Sequence, residues 1–76
     1  MRIYTFELAH PSLTTRPAIA TLPAESRQEA ELLVNREFSK ILNVKFVRTA
    51  ELPGSYNYRR VITVQGPDGQ IVEKAF

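Results

Sequence analysis

A single histidine, His10, and no cysteine leave this 76-residue chain without the usual parts of a nucleophilic or thiolate site. His10 stands in a His-Pro turn, with no second histidine or cysteine to form a nucleophile–base pair. The carboxylates show no clustered spacing that would hold a metal with it. The glycines are Gly54, Gly66 and Gly69, too few for a phosphate-cradling loop, and Gly66 and Gly69 flank Pro67-Asp68 as turn residues. Ser26 is placed to cap a helix rather than to attack a substrate. These residues point to no catalysis, no metal and no cofactor.

The segment Tyr56-Asn57-Tyr58-Arg59-Arg60 has the composition of a contact surface. Tyrosine and arginine are enriched where binding energy concentrates, and together they combine base stacking with phosphate contact. Tyr56 and Tyr58 also share parity with Ile62 and Val64, so the alternative is that they close the core. Arg59 and Arg60 point to opposite faces of a regular strand. Lys45 and Arg48 on the preceding strand are expected to extend a basic patch beside them, with Arg2 and Arg16 as outlying members. The exposed helix side, with Arg27, Glu31, Asn35 and Arg36, reads as a solvated face around one stray apolar residue, Leu32.

Several elements must position these groups. Tyr4, Phe6 and Leu8 alternate with Ile3, Thr5 and Glu7, which is a strand pattern over residues 2–8. A second extended stretch over residues 15–22 contains Pro17, which demotes it to an edge or irregular segment. It is expected to pair with the first as a hairpin around residues 11–14. Ser26-Arg27-Gln28-Glu29 has the form of a capping box, with the Glu29 side chain reaching back to the Ser26 amide. Apolar residues then recur at Ala30, Leu33, Val34, Phe38, Ile41 and Leu42 with the 3.6-residue period of a buried stripe. Asn43 suits a left-handed stop.

Beyond the helix the period returns to two, with Val44, Phe46 and Arg48 opposed to Lys45, Val47 and Thr49. Leu52-Pro53-Gly54-Ser55 is turn chemistry, residues 56–65 form a long strand, and Gly66-Pro67-Asp68-Gly69 leads into a returning strand over residues 71–76. The resulting fold class is α+β: one amphipathic helix packed on an antiparallel sheet in the order β-β-α-β-β-β, a single domain over 1–76. Phe38, Leu33, Val34 and Ile41 are the expected helix knobs, against Phe6, Phe46 and Ile62 or Val64. On that reading Phe38→Ala removes about 3–5 kcal/mol.

Composition limits the function classes. The net charge is +2, and seven of the ten cations are arginine, which suits planar recognition of phosphate or carboxylate. No apolar run approaches the roughly 18 residues of a membrane span, and the N-terminus lacks a signal-peptide pattern. A cytoplasmic protein with no membrane partner is expected, as a monomer or weak homodimer.

The layout resembles that of small phage and mobile-element inhibitors, and in particular anti-CRISPR proteins that act on type I surveillance complexes. The likeness rests on Ile3-Tyr4-Thr5-Phe6-Glu7 as a first strand, on Ala20-Thr21-Leu22 entering the helix capped by Ser26 with its Glu29-Ala30 step, and on the closing segments 61–64 and 71–76. It covers nearly the whole chain as pattern, without a diagnostic motif. Phage inhibitors of host RNA polymerase and some ribosomal proteins share the rhythm. The resemblance implies a non-enzymatic protein that docks on a host protein or ribonucleoprotein complex and blocks it sterically, through Tyr56, Tyr58, Arg59, Arg60, Arg48 and Lys45. A positive net charge disfavours DNA mimicry. The other readings are a small basic domain that binds nucleic acid directly, an inhibitor of host RNA polymerase, and a homodimeric structural module in which the edge over residues 71–76 pairs with its copy.

Overall fold

Alternation of apolar and polar residues puts one side of each strand against the helix and the intervening residues on the other side, where Thr5 and Pro23 are buried as well. The computed structural model describes residues 1–9, 16–38, 43–52, 60–66 and 68–76. Along the chain they form β1 (Arg2–Ala9), β2 (Ala18–Ala24), α1 (Arg27–Phe38), β3 (Asn43–Glu51), β4 (Val61–Gln65) and β5 (Ile71–Ala75). The five strands make one antiparallel sheet in the spatial order β3-β1-β2-β4-β5. This is the α+β, β-β-α-β-β-β arrangement expected from the sequence.

Register shows which residues share a face. Tyr4, Phe6 and Leu8 oppose Leu22, Ala20 and Ala18 across β1 and β2, and Phe6 and Leu8 oppose Phe46 and Val44 across β1 and β3. Ala30, Leu33 and Val34 of α1 join this side, with Ile62 from β4, and close the core. Phe6, Leu22, Ile62 and Val34 are fully buried, and each such side chain contributes about 1.5–3 kcal/mol by leaving water. The Phe6 and Phe46 rings meet edge to face at 5.7 Å between centroids.

Phe38 is not the central knob that its place in the stripe suggests. It is only partly buried and packs on the margin of the core, so its truncation costs less than the expected amount. Ile41 and Leu42 lie outside the described residues.

The helix start follows the capping logic with one change. Ser26 Oγ accepts from the Glu29 amide at 3.1 Å, but Glu29 Oε2 accepts from the amide of Glu25, also at 3.1 Å, rather than from that of Ser26. The return bond thus secures the residue before the cap. Arg27 and Glu31 form the i,i+4 pair at 2.8 Å. Asn43 is the first residue of β3 and not a left-handed stop, since no non-glycine residue described has positive φ.

β2 corrects the reading of Pro17. That proline precedes the strand, and β2 is the central strand of the five rather than an edge. A different proline, Pro23, lies inside β2 opposite Ile3. It is accommodated because β4 pairs only with Ile19, Ala20 and Thr21, so Pro23 sits past that ladder. The β4–β5 hairpin matches its turn residues: Gly69 has φ of 88°, its amide donates to the Gly66 carbonyl, and the Gln70 amide donates to Asp68 Oδ1.

Candidate partner-binding surface

Among the described residues, no helix covers the sheet face opposite α1. Three rows of side chains run across that face in register. The middle row is Arg48, Thr5, Thr21, Thr63 and Glu73, one from each strand in spatial order. A second row is Lys45, Glu7, Ile19, Gln65 and Ile71. The third is Ala50, Ile3 and Pro23, continued by Val61 opposite Ala75. Neighbours in a row stand about 4.8 Å apart. The face therefore has a β-branched middle with two cations at its β3 rim.

Those two cations share a face only because β3 carries a bulge. Thr5 opposes Arg48 while Phe6 opposes Phe46, so Val47 is the additional residue between them. A bulge shifts the alternation by one residue. Regular alternation puts Arg48 with Val44 and Phe46, beside the core; the bulge returns it to the side of Lys45. The clue in the sequence is the charge itself, since an arginine interrupts an otherwise apolar stripe. Lys45 has Glu7 opposite it and Arg48 has Thr5. Arg48 therefore carries the less compensated charge within the row.

The expected continuity with Arg60 is absent. β3 pairs with β1 and β4 pairs with β2, so two strands separate Lys45 and Arg48 from Arg60. The exposed Arg60 holds its guanidinium 5.4 Å from the Phe76 ring centroid, and Phe76 packs against the helix-side core. Arg60 thus belongs to a different surface. Tyr56, Tyr58 and Arg59 lie outside the described residues, as does His10. Arg2 and Arg16 are exposed.

A feature that local sequence patterns do not show lies on the helix side of β3. A cavity of about 370 Å³ opens between α1 and β3, lined by Phe6, Val44, Phe46, Arg27, Glu31, Asn35 and Lys45. Arg27 stacks over Phe46 at 4.0 Å while holding Glu31, a cation–π contact across two elements distant in sequence. β3 is therefore flanked by Arg27 on one face and by Arg48 on the other, with Lys45 both lining the cavity and opposing Glu7.

A second charged cluster ties α1 to β5. Lys74 Nζ lies 2.7 Å from Glu37 Oε2, Arg36 Nε lies 3.8 Å from Glu37 Oε1, and Lys74 sits 5.9 Å from the Phe38 ring centroid. The hydrogen bond from Lys74 holds the Glu37 carboxyl below its ordinary range; partial desolvation opposes this, and the charges of Lys74 and Arg36 add to it. This cluster is an inter-element clamp.

No group of three or more metal-ligating side chains occurs among the described residues, and no described helix is long and apolar enough to cross a membrane. No known family model matches the chain, and neither a curated protein nor a solved structure matches it.

Proposed function

We propose that this chain is a non-enzymatic binding protein that docks on a host ribonucleoprotein complex and obstructs it, as anti-CRISPR inhibitors of surveillance complexes do. The observation that carries the reading is the re-aimed Arg48, which stands with Lys45 on the exposed side of an edge strand next to a β-branched face. Two cations on a rigid platform fit an acidic protein surface or a phosphate backbone held by protein. The platform supplies position and charge.

Capture on the immobilised chain from lysate of a CRISPR-bearing bacterium tests this. The expected result is recovery of the surveillance complex, with recovery lost for Arg48→Glu and reduced for Lys45→Glu, both with unchanged melting. Recovery equal to wild type by folded Arg48→Glu, or no complex at all, overturns the reading. If nuclease treatment abolishes capture and bare nucleic acid binds with a steep salt dependence, the chain is instead a direct nucleic-acid binder.

A further inference from the structure

The two edges of the sheet are protected unequally. An uncovered edge strand is a template for further pairing, and proteins blunt it with bulges, prolines or charges. β3 has the bulge at Val47 together with Lys45, Arg48 and Glu51. β5 also carries two charges, Glu73 and Lys74, but it has no irregularity in its pairing with β4 and no proline, so the bulge is what sets the two edges apart. It is exposed along its whole length, with Ile71 63% and Val72 55% accessible on opposite faces. It is also tied to the rest of the fold, by Lys74 on Glu37 and by the Phe76 amide on the Arg60 carbonyl. We infer that β5 is an interaction surface for β5 of a second copy of this chain, paired antiparallel about a two-fold axis at Val72.

The register follows from geometry and charge. The Gly66 amide bonds the Gln70 carbonyl and the Phe76 amide bonds the Arg60 carbonyl. Even-numbered residues of β5 thus turn their backbone groups toward β4, and odd-numbered ones turn theirs outward. A two-fold axis that extends the sheet between antiparallel strands stands normal to it, so the centre must fall on one residue facing its own copy. Registers that overlap three or more strand residues centre on Val72, Glu73 or Lys74. Centring on Glu73 or Lys74 sets like charges directly opposite each other, which is unfavourable. Centring on Val72 sets Val72 against Val72, with Ile71 against Glu73 on either side. Both helices then lie on one side of a continuous sheet, a closed isologous dimer that leaves β3 at each end. The overlap is short, so the dimer is a weak one.

Because the chain has no cysteine, single introduced cysteines read the register. At the axis, the α-carbons of a non-hydrogen-bonded pair are about 4.5 Å apart, within disulfide reach, whereas a thiol introduced in place of Glu73 would lie beyond the roughly 7 Å limit from its copy. The expected result is a monomer–dimer equilibrium in sedimentation as concentration rises toward millimolar. Val72→Cys should oxidise rapidly to a disulfide dimer and Glu73→Cys should not. Val72→Lys should weaken association about tenfold or more without changing the melting temperature. A monomer at millimolar concentration, faster cross-linking at position 73 than at 72, or wild-type association by folded Val72→Lys overturns the proposal. None of these outcomes depends on whether the Lys45 and Arg48 face binds a partner.

Discussion

Glu37 shows how a surface side chain can act between elements. It lies at the C-terminal end of α1, where a negative charge is unfavourable with respect to the helix dipole, yet it is flanked by Arg36 and reached by Lys74 from β5. The Lys74 hydrogen bond is the largest reason its carboxyl titrates below the ordinary value of 4.5. A carboxyl with a depressed folded pKa contributes stability that is fully present above the unfolded value and is lost as pH falls through the folded one. The clamp therefore acts at neutral pH and releases in acid, below about pH 4.5. Lys74→Ala should raise the Glu37 pKa toward the ordinary value, as followed by carboxyl NMR titration. It should also flatten the acid limb of stability. An unmoved Glu37 titration would show that the 2.7 Å contact does not persist in solution.

At the scale of the element, β3 shows both what local sequence reveals and what it conceals. Its strand character is legible from alternation between Val44 and Thr49. The hairpin turn at Gly66–Gly69 and the cap at Ser26 are equally local, and the structure contains both. The bulge is not local, because it arises from how β3 meets Thr5 and Phe6 of β1. Strand order is hidden for the same reason: nothing in residues 43–51 tells that β3 lies beside β1 rather than β4. Local pattern accordingly joins Lys45 and Arg48 to the wrong neighbour, Arg60, and its one sign of the bulge that unites the two is the charge at position 48 in an otherwise apolar stripe.

Deleting Val47 separates the two consequences of the bulge. Phe46 already faces Phe6 and Arg48 already faces Thr5, so removing Val47 joins those pairs in a regular ladder. Arg48 should keep its face, and partner capture should survive. The β3 edge, however, loses the distortion that discourages pairing. Each copy then has two usable edges, and sedimentation should show species larger than a dimer. A deletion variant with the same size distribution as wild type would mean that the charges on β3, and not its bulge, protect that edge.

For the whole molecule, a small domain with no disulfide depends on a few residues at the crossing of helix and sheet. Domains below about 70–80 residues rarely hold more than a few kcal/mol in reserve. Position within the 3.6-residue stripe makes Phe38 look central, because periodicity tells which face of a helix turns inward but not where along its length the sheet lies. α1 contacts β1, β2 and β3 with its early and middle turns, and Phe38 comes at its end. Phe6 instead sits on β1, between β2 and β3, fully buried and in contact with Phe46. Phe6→Ala should cost about 3–5 kcal/mol, most of the stability, and leave the chain largely unfolded at 37 °C in a circular-dichroism melt. Phe38→Ala should cost roughly half as much or less, in proportion to its partial burial, and remain folded. Equal losses at the two positions would mean that the helix C-terminus, and not the β1–β3 junction under Arg27, is the centre of the core.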